Sequence, residues 1–305
     1  MNRSIDHLDT DSTVITAAPI GITITDYDGY FVMVNPAYCK IYGYSEEELI
    51  GNHFTMVVAE GYQKDAAERH RHFMACDDPL QPEYESVATR KDGQIINLLI
   101  NAARVKGPKG QVHKISYIID ITEGKQLFQR LEYLAQYDEL TGLLNRRAGF
   151  KMIDEEVSRS HRHGSPLSIA ICDLDDFKKV NDIYGHTAGD NVLREVADRM
   201  KDALRQYDKV VRKGGEEFLI ILPNTVLEDA VSTLERLRAV VSATPMPEPK
   251  ITQTLSAGVA QLKADESATA LLDRADRILY QAKDDGRNRV ESVNEAQMLT
   301  SPAEQ

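Results

Sequence analysis

Two acidic clusters stand out among the residues able to do chemistry. Asp173-Leu174-Asp175-Asp176 closes the apolar run Leu167 to Cys172, and Glu216-Glu217 follows Gly214-Gly215 between two apolar segments. Paired glycines between strands predict a tight hairpin, because a primed turn needs positive φ and glycine tolerates it best. A strand ending in Asp173 beside a hairpin carrying Glu216 would set two carboxylates on one sheet edge. Hard divalent ions favour such oxygen donors, and Mg²⁺ typically takes one or two carboxylates and fills its shell with water and substrate phosphate oxygens. Asp176 reads as a residue that solvates a loop. For Asp175 and Asp182, loop solvation and a role at the site stay equally open.

The elements that must position these groups follow from pattern. From about Asp138 to Glu291 helices and strands alternate, an α/β signal. Strands are predicted at Leu167–Asp173, Lys209–Arg212, Glu217–Leu222, Thr252–Gln261 and Arg289–Glu291, with helices notably over Asp190–Leu204, Leu227–Ala243 and Ala268–Lys283. Ahead of them, Ile20–Thr25 alternates into the turn Asp26-Tyr27-Asp28-Gly29, and Phe31–Asn35 follows as a second strand. Ser45 with Glu48 forms a capping box for a short helix that Gly51 closes. Tyr84–Thr89, Ile95–Val105 and His113–Ile119, separated by turns at Lys91-Asp92-Gly93 and Gly107-Pro108, complete an antiparallel sheet.

Between the two halves runs a charged helix with Leu127, Leu131 and Leu134 on one seam. It either packs on its own domain or pairs with a second copy as a short parallel coil; the low apolar content and the joining position favour the coil. The expected organisation is residues 1–11 flexible, 12–122 a first domain, 123–137 the linker helix, 138–292 a second domain and 293–305 a disordered tail.

The formal net charge is −12. That argues against a nucleic-acid-coating protein or a polybasic membrane binder, which need clustered positive charge. A polyanionic nucleotide would need a local site of cations, backbone N–H groups or metal. The three cysteines, Cys39, Cys76 and Cys172, are widely spaced and fit neither a disulfide framework nor a zinc site. No stretch has the length of a membrane-spanning helix, and Met1–Thr10 is unlike a signal peptide, so a cytoplasmic protein with no membrane partner is expected.

Asp26-x-Asp-Gly29, Asn35-Pro36-Ala37, Gly43-Tyr44-Ser45, Glu48-Leu49-x-Gly51, Lys91-Asp92-Gly93 and Asp120-Ile121-Thr122, in that order, resemble a PAS domain over about residues 12–122. The ligand of this domain is unknown from sequence. The region where a photosensory flavin domain would carry a cysteine holds His53 and Phe54. His53, His70, His72 and His113 are formal haem ligands, but such histidines read as surface or packing residues, and His70-Arg71-His72 reads as a solvated helix face.

The second half resembles the GGDEF family of diguanylate cyclases. The likeness rests on Asp138-Glu139-Leu140-Thr141-Gly142 through Arg147, Asp173-Leu174-Asp175-x-Phe177-Lys178-x-x-Asn181-Asp182, Gly185-His186-x-x-Gly189-Asp190, Gly214-Gly215-Glu216-Glu217-Phe218, Ser256-x-Gly258, and Ala275-Asp276 through Gly286-Arg287-Asn288. The resemblance implies a central sheet flanked by helices, of the nucleotidyl-cyclase, palm-like kind. It implies condensation of two GTP into cyclic di-GMP and pyrophosphate by a homodimer, paired through the linker helix and the PAS domain. Two Mg²⁺ per site, with Mn²⁺ as an alternative, would be held by Asp173, the Leu174 carbonyl and Glu216. Glu216 and Glu217 would be catalytic, Asn181 and Asp190 would read guanine, and Lys178, Lys283 and Arg287 would meet phosphate. Each also has a plain structural alternative: Asn181 as a turn residue, Asp190 as a helix N-cap, and Lys283 or Arg287 as solvated charges at a helix C-terminus.

Arg205-x-x-Asp208 matches the offset of the family's inhibitory site for cyclic di-GMP; alternatively it is a helix-end arginine and an aspartate opening a strand. Lys213 departs from the aromatic or apolar residue that often precedes the glycines, and is expected to stand outside the carboxylate pair. Two rivals are a degenerate domain that only binds cyclic di-GMP, which the intact Asp173, Glu216 and Glu217 speak against, and a scaffold whose output is dimerisation. No degrading domain of the Glu-Ala-Leu type is expected after Glu291.

Overall fold

The structure, a computed structural model, describes residues 10–76, 78–106, 110–243, 245–247 and 250–292. The first nine residues, the turn expected at Gly107-Pro108 and the tail 293–305 lie outside the described residues. The chain divides into two compact units, with the boundary between Arg130 and Leu131.

The N-terminal unit runs α1 (Thr10–Ala17), β1 (Gly21–Thr25), β2 (Phe31–Val34), α2 (Pro36–Tyr42), α3 (Glu46–Leu49), a 3₁₀ turn at Phe54–Val57, α4 (Gln63–Ala75), β3 (Leu80–Thr89), β4 (Ile95–Lys106) and β5 (Val112–Asp120). Its five strands form one antiparallel sheet in the order β2-β1-β5-β4-β3. The β1–β2 turn is held by Asp26, whose Oδ1 accepts the N–H groups of Gly29 and Tyr30, both at 2.8 Å. Asn35 caps α2 by accepting from the Tyr38 N–H at 2.8 Å and also accepts from Ile22 N–H at 2.8 Å, tying helix to sheet. Phe31, Leu49, Ile96 and Leu98 fill the core.

Strand β3 starts at Leu80, four residues before the expected Tyr84. The ladder breaks register between Gln81 and Tyr84; Pro82 lies in that gap and has no N–H to donate, which is why the alternation signal fails there. The other departure is His70, expected on a solvated face but only 3% exposed.

Helix α5 (Thr122–Gln136) spans the unit boundary and has no buried residue. Leu127 and Leu131 are 57% and 65% exposed, with Phe128 beside them at 62%. Leu134, the third residue of the seam, is half-buried.

The C-terminal unit continues with β6 (Leu144–Asn145), α6 (Arg146–His163), β7 (Leu167–Leu174), α7 (Phe177–Tyr184), α8 (His186–Ala203), β8 (Lys209–Gly214), β9 (Glu217–Pro223), α9 (Leu227–Ala243), β10 (Leu255–Gln261), α10 (Ala268–Asp284) and β11 (Val290–Ser292). The sheet order is β11-β10-β7-β9-β8-β6; β10–β11 and β6–β8 are parallel and the central pairs antiparallel. Every residue of β7 is buried. Ala170, Cys172 and Leu174 pack on one side with α8 and α9, whereas Ile169 and Ile171 pack on the other with α6 and α10, as the two-residue period of a strand requires. In this unit the largest shifts from the expected boundaries are at β10, which begins at Leu255 rather than Thr252, and at α8, which begins at His186 rather than Asp190.

Candidate active site

The middle of the sheet brings the acidic clusters together. Asp173 lies opposite Glu217 in the β7–β9 ladder, and the Leu174 N–H reaches the Glu216 carbonyl at 3.3 Å. Gly214 ends β8 and Glu217 opens β9, so Gly215 and Glu216 form the hairpin turn, with Gly215 at φ 54° as such a turn demands.

Asp173 is only 8% exposed. Burial pushes its carboxyl pKa up; the Lys283 ammonium, 2.8 Å from Oδ2, opposes that push, and the charges of Glu216 and Glu217 add to it. Lys283 thus stands on the carboxylate itself rather than as a solvated charge at the helix end. Its carrier, α10, sits directly on β10: a Cβ on Gly258 would lie 2.2 Å from the Leu279 nitrogen and 2.3 Å from the Ala275 oxygen. Only glycine permits that approach, which explains the Ser256-x-Gly258 motif.

Asp175 is neither a loop-solvating residue nor free to ligate an ion. It is 8% exposed, and its carboxylate accepts from Thr254 Oγ1 and Ser256 Oγ, both at 2.7 Å, and from the Asn288 N–H at 3.0 Å. It therefore anchors β10 and the loop after α10 to the end of β7. Arg287, in that loop, is exposed with φ 64°, its own N–H bonded to the Ala282 carbonyl at 3.1 Å. Asp182 is exposed, as is Lys178.

Asn181 lies inside α7 rather than in a turn, and Asp190 lies inside α8, whose N-cap position is Gly185. A Cβ on Gly189 would fall 2.0 Å from Asn181 Oδ1, so this glycine lets the α7 amide sit against α8 next to Asp190. The two candidate guanine readers are thereby brought to one junction.

Two site residues had no role assigned from sequence. Arg212 donates through Nε to the Gly215 carbonyl at 3.0 Å and through Nη1 to Asp138 Oδ1 at 2.9 Å. Asp138 also accepts from Thr141 N–H and Oγ1 at 3.0 and 2.7 Å. Burial favours the neutral acid there, but the bonds from Thr141 and Arg212 outweigh it and hold the Asp138 pKa below the usual range. The signal was present in sequence: Asp138 opens the first motif of the domain, and Arg212 ends the strand that runs into the paired glycines.

Lys213 is not outside the carboxylates. The β8 ladder shifts register between Arg212 and Gly214, and such an irregularity re-aims the side chain it carries. Lys213 Nζ lies 3.1 Å from Asp276 Oδ1 and 3.5 Å from Glu217 Oε2.

Arg205 and Asp208 face each other across a tight turn: the Asp208 N–H donates to the Arg205 carbonyl and the Arg205 N–H to Asp208 Oδ2, each at 3.0 Å. Both line a cleft of ≈ 480 Å³ that Lys201 and Lys209 also border.

Comparison with known proteins bears on both units. A family model described as "Diguanylate cyclase, GGDEF domain" matches residues 135–289, and a PAS domain model matches residues 19–123. Diguanylate cyclase DgcM of Escherichia coli K12 is 34% identical over 278 residues, covering 90% of this chain and 66% of DgcM. Diguanylate cyclase DgcP of Pseudomonas aeruginosa is 46% identical over 157 residues, 50% of this chain and 23% of DgcP. The chain thus spans less than two thirds of the length of either relative. Among solved structures, the coiled coil and GGDEF domain of DgcB from Caulobacter crescentus in complex with c-di-GMP is similar with a TM-score of 0.53 and 31% identity, covering 57% of this chain and 93% of that one.

Proposed function

We propose that this chain, which belongs to the GGDEF family of diguanylate cyclases and carries a PAS domain ahead of its GGDEF domain, joins two GTP molecules into cyclic di-GMP with release of pyrophosphate. The observation that carries the reading is the placement of Asp173 opposite Glu217, with Leu174 bonded to Glu216, at the open end of the central strand.

Each GTP is held by one GGDEF domain. Asn181 and Asp190 pair with the donors and acceptors of the guanine edge, and Lys178, Lys283 and Arg287 neutralise phosphate. The 3′-oxygen of one nucleotide bonds to the α-phosphorus of the other as the α–β phosphoanhydride breaks. Glu216 orients the hydroxyl and takes its proton, and Glu217 supports it. A second, symmetrical attack closes the ring, so two pyrophosphates leave per product.

Members of the family use divalent metal ions, and the residues present fit one. Asp173, the Leu174 carbonyl and Glu216 offer oxygen donors, and the buried Asp173 already draws a cation, Lys283, to itself. Among the described residues no three acidic, His or Cys side chains gather as a closed cage. Further oxygens would come from water and substrate phosphate, the usual habit of Mg²⁺. When bound, two such ions, Mg²⁺ or Mn²⁺, would lower the hydroxyl pKa and offset charge on the phosphate.

One domain cannot complete the reaction, so the working species is a homodimer. The exposed Leu127–Leu131 seam of α5 supports pairing through the linker, residues 123–137, between a PAS unit over 12–122 and a catalytic unit over 138–292. Arg205 and Asp208 form the product-binding brake. The setting proposed is the cytoplasm, without a membrane or nucleic-acid partner: among the described residues no helix is long and apolar enough to cross a membrane, and the net charge of −12 disfavours nucleic acid. Incubating the purified protein with GTP and MgCl₂ tests the reading. Cyclic di-GMP should accumulate with wild type and be absent with Glu216→Gln; a dimeric wild type that makes none overturns it.

A further inference from the structure

The N-terminal unit holds a cavity of ≈ 70 Å³ between the inner face of its sheet and α4. That is room for about five water-sized groups. Most of the wall is apolar, as with Phe31, Leu98 and Ile118, but one stripe is not. Thr25 pairs with Lys114 and Thr23 with Ser116 across the β1–β5 ladder, which puts four polar side chains side by side on the buried face. Their exposures are 4% for Thr25 and Thr23, 6% for Lys114 and 8% for Ser116.

The stripe is electrostatically incomplete. Among the described residues the Lys114 ammonium has neither a hydrogen bond nor an ion pair, and its recorded neighbour is the ring face of Phe73 at 5.3 Å. Thr25 Oγ1 is buried with no partner. Arg69, from α4, also borders the cavity, its guanidinium 4.8 Å over the Tyr84 ring. Among the described residues no Asp or Glu lines the cavity. Burial drives the Lys114 pKa down to about 8, and the charge of Arg69 pushes in the same direction. A buried cation without a counter-charge is costly, and such groups are normally paired. Here no described residue supplies that partner.

We propose that this cavity binds a small organic carboxylate, with its charge toward Lys114, Arg69 and Thr25 and its short hydrocarbon body against Phe31, Leu98 and Ile118. The volume limits the ligand to about five or six non-hydrogen atoms, well below a porphyrin or a flavin. The apolar wall selects a carboxylate with a carbon body over inorganic phosphate. The site belongs to the N-terminal unit alone and stands whether or not the other unit makes cyclic di-GMP.

Titration of the full chain with acetate, propanoate and butanoate, followed by calorimetry and thermal unfolding, tests it. At least one should bind and raise the melting temperature, while propanamide, the uncharged isostere of propanoate, and inorganic phosphate should bind about tenfold more weakly or not at all. Lys114→Met keeps the stem and removes the charge. It should melt no lower than wild type without ligand, yet lose the carboxylate response. Should that variant fail to fold, Thr25→Val serves instead and should weaken binding several-fold. Silence from all three carboxylates, an equal response to propanamide, a response to phosphate alone, or an unchanged response in the folded variant each overturns the proposal.

Discussion

Lys283 and Asp173 form a 2.8 Å ion pair at the end of β7, with the Asp173 side chain 11% and the Lys283 side chain 32% exposed. The pair joins the last long helix to the central strand and depends on the close seating of α10 at Gly258. It also sets a cation where the negative charges of Asp173, Glu216 and Glu217 accumulate.

Lys283→Met should leave the Asp173 carboxylate buried beside two like charges. Because the pair is only partly buried, the expected loss is about 1–2 kcal/mol, below that of a fully buried pair. Urea unfolding reads it directly, and GTP turnover should fall in parallel. A variant as stable as wild type would show that the pair carries no structural role.

Arg212 acts through the hairpin rather than on substrate. Its fork bonds both the Gly215 carbonyl and Asp138, whereas a lysine presents a point charge that cannot span the two in one plane. Arg212→Lys should lower kcat by about tenfold with KM for GTP little changed, the pattern of a mispositioned Glu216. If KM rises while kcat holds, the residue serves binding instead.

Gly189→Ala drives a methyl group into the Asn181 amide. Overpacking of this kind costs about 1–3 kcal/mol. Asn181 must shift, so GTP binding should weaken and discrimination against ATP should narrow. Measured KM values for both nucleotides check this; an unaltered GTP-to-ATP ratio removes Asn181 from guanine recognition.

Replacing Leu127 and Leu131 with aspartate puts charge on a seam that the chain leaves exposed. Sedimentation should show loss of dimer, and specific activity should recover as protein concentration rises. A double variant that stays dimeric would exclude pairing through α5.

Lys114 gives a pH signature. Its folded pKa, about 8, lies below the ordinary lysine value, so between pH 8 and about 9.5 the unfolded chain binds more protons than the folded one. Stability of the N-terminal unit should rise with pH in that window, by at most about 1.4 kcal/mol per pH unit. The Cys39 thiol, raised mainly by burial, opposes the trend inside this window. The Tyr38, Tyr42 and Tyr84 hydroxyls, also raised mainly by burial, oppose it at higher pH, and His70, lowered by burial, acts only below it. The difference from Lys114→Met isolates the lysine. The slope should flatten in Lys114→Met, and equal slopes in the two proteins would mean the ammonium is not desolvated.

The hairpin at Gly214-Gly215 was legible because its cause is local. Paired glycines between apolar runs specify the turn, and the two strands must then lie side by side. Asp175 was not legible, since its partners Thr254, Ser256 and Asn288 are far away in sequence and only the closed sheet brings them near. Helix α8 starts at His186 and not at Asp190, and Gly189 inside it allows the close approach to Asn181 that only the folded α7–α8 pair reveals. His70 was misread through its charged neighbours. With Ala66, Phe73 and Met74 it recurs at helical spacing, and that face is the one turned inward.

Asp175 takes its third hydrogen bond from a backbone amide 113 positions later. A ribosome must therefore have polymerised nearly the whole GGDEF domain before that last tether can close. Until Asn288 emerges, the loop bearing Arg287 has nothing to fasten it to β7. Nascent or prematurely terminated chains should accordingly be unable to spend GTP, however well their earlier strands have paired.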